Sequence, residues 1–377
     1  MVLHCLIIIC QILVMNNYIK INYIYIYINI MKILTETYFD FKDVLIQPKR
    51  SNLNSRNQVD LEKTITFLHS KRTWTGIPIL ASNMDTTGTF EMYQKLSKLK
   101  IITVFHKHYE LEDYPEDLDP NYYSLSTGIS NENYEQVKKL ISKLNPYFLT
   151  IDIANGYSTK FVEFCQKVRE EFPTLTIFAG NVATSDMVQE LLLTAKIDVV
   201  KCGIGSGSVC STRLKTGVGL PQLSVCMNCS EVANGLGGHI ISDGGCTIPG
   251  DVAKAFGGGA HFVMLGGILA GHDESGGELV TNETGQKFKL FYGMSSKHAQ
   301  DKYNGGLQKY RSSEGKVRKI PYRGPVEITI LDILGGIRST GTYIGAYRLK
   351  DFPKCTTFLK VHQQVNPVFD NTIFLQQ

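Results

Sequence analysis

The sequence lacks a strong charge excess: 39 Lys and Arg against 35 Asp and Glu leave a formal net charge of +4 over 377 residues. That is too little for the basic stripe of a nucleic-acid-binding protein. The basic clusters Lys49-Arg50 and Lys316 to Lys319 are short and lie among polar residues, as solvated faces or phosphate contacts do. A long apolar run is also missing. Leu6 to Met15 is mostly apolar but too short to span a bilayer, no basic segment precedes it, and no small-residue cleavage pattern follows, so neither a membrane nor a secretory address is expected. Nine cysteines, an odd number scattered along the chain, do not make the disulfide framework of a small secreted domain and point to a reducing, cytoplasmic setting. Cys226 and Cys229 have metal-ligand spacing, yet no second pair or histidine cluster completes a zinc site. Both are expected as small apolar residues on a helix.

What is present is ordinary globular material, 43% hydrophobic and 20% charged. Residues 1–30 differ in kind, being dominated by Ile, Tyr and Asn. Met31 is the expected working start, with the leader disordered or not translated, and residues 31–377 are expected to form a single catalytic domain.

From Ile77 onward short apolar runs alternate with segments of helical period, the pattern of a parallel βα architecture. Eight runs qualify: Ile79 to Ala81, Ile101 to Phe105, Tyr123 to Ser126, Phe148 to Ile153, Leu175 to Ala179, Ile197 to Cys202, His239 to Ser242 and Phe262 to Leu265. Eight parallel strands imply a closed (β/α)8 TIM barrel. Polar or glycine residues follow nearly every run, as they do where active-site loops leave strand C-termini. An open doubly wound sheet would not require that decoration. Residues 276–324, with several charges and glycines but little apolar period, read as an active-site flap inserted after the eighth strand. Leu331 to Ile337 resumes a core-like pattern, that of the last barrel helix.

The most chemical segment is Gly203-Ile204-Gly205-Ser206-Gly207-Ser208-Val209-Cys210-Ser211-Thr212-Arg213. Glycines let the backbone approach a ligand or ion, and a thiol there can be presented as a nucleophile. The plain alternative is a flexible turn carrying a chance cysteine. Gly244-Gly245 and Gly266-Gly267 follow the seventh and eighth strands, where barrels bind phosphate, so a phosphorylated ligand is expected; tight turns are the alternative.

Taken with Asp40-Phe41-Lys42-Asp43-Val44-Leu45, Asn83-Met84-Asp85, His106-Lys107-His108-Tyr109, Asp152-Ile153-Ala154-Asn155-Gly156, Ile241-Ser242-Asp243-Gly244-Gly245, Phe291-Tyr292-Gly293-Met294-Ser295 and Arg311-Ser312-Ser313-Glu314-Gly315-Lys316, the chain resembles the inosine-monophosphate dehydrogenase and guanosine-monophosphate (GMP) reductase family. The likeness runs from about Asp40 to Phe369 and is nearer the reductase branch. Only a short stretch separates Lys107 from Asp152, too little for the paired regulatory domains common in the dehydrogenases.

The resemblance implies conversion of GMP to inosine monophosphate (IMP) and ammonia, with NADPH as reductant and a homotetrameric assembly. It implies Cys210 as nucleophile, forming a covalent thioimidate, with Thr212 and Glu314 handling protons. It assigns the nucleotide to Asp243, Gly244, Gly245, Gly266, Gly267, Gly293, Met294, Ser295, Arg311, Ser312, Ser313 and Gly315. It assigns the cofactor to Ser55, Arg56, Lys107, Asp152, Ile153, Ala154, Tyr310, Arg311, Ser339, Thr340, Gly341 and Thr342. A monovalent cation, K+, is implied at the carbonyls of Gly205, Gly207 and Cys210, with Arg213 nearby. Two positions depart from the family pattern. Ser206 stands where proline is common, which predicts a looser loop, and Gly341 stands where a larger residue is common. An IMP dehydrogenase without regulatory domains and a non-catalytic nucleotide sensor are the competing readings.

Overall fold

Buried apolar runs set the architecture. In chain order the strands are β1 (Val44–Ile46), β2 (Lys63–Thr66), β3 (Thr73–Gly76), β4 (Ile79–Ala81), β5 (Ile102–Val104), β6 (Tyr123–Thr127), β7 (Phe148–Asp152), β8 (Thr176–Val182), β9 (Val199–Cys202), β10 (His239–Asp243) and β11 (Phe262–Leu265). They are followed by β12 (Leu279–Thr281), β13 (Lys287–Tyr292), β14 (Val317–Pro321) and β15 (Phe358–Lys360). This computed structural model describes residues 33–362 apart from 304, 307 and 311, together with 364. The expected leader, residues 1–30, lies outside the described residues. The chain divides into two units, Met1–Thr37 and Tyr38–Gln377, and residues 33–37 of the first form no helix or strand.

Strands β4 to β11 close into a parallel barrel in the order β10-β11-β4-β5-β6-β7-β8-β9. With helices between them the second unit is a (β/α)8 TIM barrel, and every expected strand is present within a few residues of its expected ends. The strands lie between the barrel interior and the helix layer, which is why they read as continuous apolar runs. Helix Asn131–Leu144 shows the complementary logic. Ser130 caps it by accepting from the Asn133 amide, and Tyr134, Val137 and Leu140 are buried on one face. Asn145 ends it in the left-handed conformation.

The end of the barrel where the strands begin is closed by the β2–β3 hairpin. Phe67, beside its turn, is 1% exposed, stacks on Phe262 at 6.3 Å and meets Phe148 edge-on at 5.8 Å. The barrel is therefore a packed core open only toward the strand C-termini. At the same end Asp198 falls just outside β9. Its carboxylate accepts from the main-chain amides of His69, Ser70 and Ile177 and from Arg169, and the strand begins at Val199, two residues later than expected.

The flap has structure of its own, an antiparallel sheet in the order β12-β13-β14 with helix Lys297–Tyr303 between β13 and β14. Helix Val326–Ile344 then closes the barrel. Cys226 and Cys229 lie buried on helix Gln222–Gly235, and the described cysteines are all free thiols. Among the described residues no helix is long and apolar enough to cross a membrane.

Candidate active site

The loop after β9 carries Cys210 to the barrel mouth. Its shape depends on glycine: Gly205 has φ +78°, a conformation that side chains resist. The Cys210 amide donates to the Gly207 carbonyl at 3.0 Å, turning the cysteine outward, where it is partly exposed. Ser206 does not loosen the loop. Its own carbonyl accepts the Gly245 amide at 3.0 Å, and its hydroxyl adds a bond to the Asp243 carbonyl at 2.9 Å, a tie to the end of β10 that a proline ring could not make.

The flap docks onto this loop through its main chain. The Ser211 amide donates to the Glu314 carbonyl at 2.9 Å and the Lys316 amide to the Val209 carbonyl at 2.8 Å. This seats three side chains in line. The Cys210 thiol donates to Thr212 Oγ1 at 3.2 Å, and Thr212 Oγ1 donates to Glu314 Oε2 at 2.7 Å. A thiol, a hydroxyl and a carboxylate in continuous contact can move a proton toward or away from a group bonded to the sulfur.

Two of the glycines assigned to the nucleotide, Gly244 and Gly267, lie against the same loop, and Gly293 lies against the flap. A Cβ on Gly244 would meet Ser206 Oγ at 2.5 Å, one on Gly267 would meet Ser208 Oγ at 2.4 Å, and one on Gly293 would meet the Gly315 Cα at 3.1 Å. Gly245 has φ +83°, and Gly266 sits beside Ser82 and Met84. Asp243 ends β10 and accepts from Lys201 Nζ at 2.5 Å and Asn181 Nδ2 at 2.8 Å. From the flap, the Met294 carbonyl accepts from Gln300, the Ser313 carbonyl accepts from Ser211 Oγ at 3.4 Å, and Ser312 is exposed. Arg311 lies outside the described residues.

The residues assigned to the cofactor fall into two groups. Lys107, Asp152, Ile153 and Ala154 line one cavity of ≈ 420 Å³ together with Ser295 and Gln300 of the flap. Ser295, assigned to the nucleotide from the sequence, thus faces the cofactor group as well. Burial pulls the Lys107 ammonium below its ordinary pKa, with Asp152 acting in the opposite sense. The other group lies at the far end of the barrel. Helix Val326–Ile344 starts near the mouth, where the Val326 amide donates to Glu274. Its last turns carry Ser339, Thr340, Gly341 and Thr342, roughly 20 Å further along. There a Cβ on Gly341 would meet Val59 at 2.8 Å, close to Ser55 and Arg56, so only the smallest residue fits and the departure at this position has a packing reason. Tyr310, on the flap, is 86% exposed.

Arg213 lies against Gly205, where a Cβ would meet its side chain at 2.6 Å, and its guanidinium grips Asp40 at 2.9 and 3.3 Å. Asp85 stands within a motif of the sequence but was assigned no role there; it is 6% exposed, and its Oδ2 accepts from Tyr292 and Tyr303 at 2.6 Å each and from Lys302 at 2.9 Å. Burial works to raise the Asp85 pKa, but these three donors outweigh it and leave the carboxyl below its usual value. Tyr303 also stacks on His108 at 3.6 Å, beside Lys107. Burial pushes His106 and His108 down to about 4, so both imidazoles are neutral near pH 7. No local pattern reveals what Asp85 does, because its donors come from residues more than 200 positions along the chain.

A (β/α)8 barrel with a glycine-framed cysteine at its mouth and a flap carboxylate docked on it defines a class, and the comparisons name it: residues 121–366 match the IMP dehydrogenase / GMP reductase domain, and the chain belongs to that family. GMP reductase of Citrobacter koseri is 55% identical over 351 residues, covering 90% of this chain and 100% of that protein. GMP reductase 2 of Homo sapiens is 55% identical over 336 residues, covering 88% and 96%. GMP reductase of Escherichia coli O157:H7 is 55% identical over 349 residues, covering 90% and 100%.

Proposed function

We propose that this chain is a GMP reductase, converting GMP to IMP and ammonia, with Cys210 as the attacking group. The observation that carries the reading is the contact chain from Cys210 through Thr212 to Glu314. Attack of the sulfur on purine C2 makes a tetrahedral adduct. The amine leaves only once protonated, and Thr212, backed by Glu314, is the group that delivers the proton as the adduct collapses to the thioimidate. Asp243 accepts from the ribose hydroxyls, and the amides around Gly244, Gly245, Gly266 and Gly267 receive the phosphate. Gly293, Met294, Ser295, Ser312, Ser313 and Gly315, with Arg311, complete the nucleotide contacts from the flap.

NADPH, when bound, would supply the hydride that replaces the sulfur at C2, the C–S bond breaking to release IMP and return the Cys210 thiolate. The cavity holding Lys107, Asp152, Ile153 and Ala154 fits NADPH, offering one cation and one carboxylate beneath a flap that carries Tyr310 and Arg311. Ser55, Arg56, Ser339, Thr340, Gly341 and Thr342 would complete that site from another copy, and this separation supports an assembly of copies, which the family resemblance makes a homotetramer. For a K+ ion the donors are the carbonyls of Gly205, Gly207 and Cys210, a neutral set suited to a monovalent charge. Free thiols throughout the described residues fit a cytoplasmic setting.

The deciding assay follows reduced-cofactor absorbance with GMP, and separately its appearance with IMP and NAD. Turnover of GMP is expected. Oxidation of IMP alone would make the chain a dehydrogenase, and binding without either reaction would make it a sensor.

A further inference from the structure

One cation inside the barrel has no role in the chemistry above. Lys201, on β9, is 1% exposed. Its Nζ lies 2.5 Å from Asp243 Oδ2, 3.9 Å from Asp152 Oδ2 and 3.4 Å from Met264 Sδ. Each carboxylate has one further donor: Asn181 Nδ2 for Asp243 at 2.8 Å and Asn83 Nδ2 for Asp152 at 2.6 Å. Neutral amides contribute no charge, so Lys201, Asp243 and Asp152 taken together carry one net negative charge, with Lys107, which lines the same cavity as Asp152, adding a positive charge on the cofactor side. Burial works to lower the Lys201 pKa, but Asp152 and Asp243 outweigh it and hold the pKa above the ordinary value.

We propose that Lys201 is a positioning residue shared by the two ligand sites, holding Asp243 for the nucleotide and Asp152 for the cofactor, so that the charge on either carboxylate is felt at the other. The inference rests on the assignment of those two carboxylates made above. Without the ammonium, two anions would share a low-dielectric space, and each would bind its hydroxyl donors from a position set by repulsion.

The test compares Lys201→Met, Asp152→Asn and the double variant by equilibrium titration with IMP in the absence of cofactor, and by thermal unfolding. Lys201→Met leaves Asp243 without its ammonium and Asp152 with Lys107 as its remaining cation, and is expected to weaken IMP binding about tenfold or more. Asp152→Asn removes one of the two carboxylate charges. In the Lys201→Met background it is expected to recover about threefold or more of the lost affinity, and to raise the unfolding midpoint, although the residue is assigned to the other ligand. A lysine that merely fills space would give additive effects in both measurements, and additivity overturns the proposal. Should Lys201→Met alone fail to fold, the double variant decides: a folded double variant supports the proposal and an unfolded one overturns it. If wild-type protein does not bind IMP, or Asp243→Asn binds it undiminished, the nucleotide assignment falls instead, while the unfolding comparison still judges Lys201.

Discussion

Thr212 Oγ1 donates to Glu314 Oε2 at 2.7 Å although the two residues lie 102 positions apart. The first belongs to the cysteine loop and the second to the flap, so the proton path exists only when the flap is docked. Thr212→Val and Glu314→Gln should each lower kcat by about 10²-fold or more, the usual worth of a positioned proton donor. GMP affinity should stay within about threefold of wild type, because the loss is confined to the transition state. Steady-state kinetics beside equilibrium binding reads this split.

Cys210→Ala removes the sulfur while leaving the glycine frame intact. Turnover should fall by roughly 10³-fold or more with nucleotide binding retained. Rapid-quench mass analysis of the wild-type enzyme during turnover should find nucleotide attached at Cys210, and the variant should carry none.

Asp85 fastens the flap through one oxygen that accepts from Tyr292, Tyr303 and Lys302. Asp85→Asn should weaken this clasp by about 2 kcal/mol, the scale of hydrogen bonds to a charged group. The flap should become more sensitive to limited proteolysis and KM should rise for both ligands. Because the folded pKa of Asp85 lies below the ordinary carboxylate value, its contribution is complete above the unfolded pKa and is lost as pH falls through the folded one. Clasp loss in wild-type protein should thus occur only below about pH 4.

At the closed end of the barrel, burial pushes His239 down to about 4, with Lys63 adding to it, and pushes His261 well below its ordinary value. Lys63 itself is brought down to about 8 by burial. An imidazole kept neutral in the folded state but protonated in the unfolded chain below about pH 6.5 destabilises the fold by about 1.4 kcal/mol per pH unit, until pH reaches the folded pKa. The unfolding midpoint should fall between pH 7 and pH 5, and His239→Gln should make that fall shallower. An unchanged pH slope would reject His239 as a contributor.

The barrel was legible because each strand is buried on both faces and so appears as an uninterrupted apolar run, bounded by glycine or polar residues where loops begin. Phe262–Leu265 even coincides with its expected ends. The β2–β3 hairpin escaped notice because its residues alternate between exposed and buried and its role as a plug depends on Phe67 meeting Phe148, Phe178 and Phe262, contacts no local window contains.

By itself the sequence determined the barrel, the cysteine loop and the family, since these are written in local periodicity and in ordered motifs of adjacent residues. Tertiary structure alone decided that Asp40 pairs with Arg213, that Ser206 ties its loop to β10, that the residues assigned to the cofactor divide between the two ends of the barrel, and that Lys201 lies between Asp243 and Asp152. Hydrogen bonds and ion pairs act over a few ångströms in space, and closing a barrel brings side chains within that reach whatever their separation along the chain.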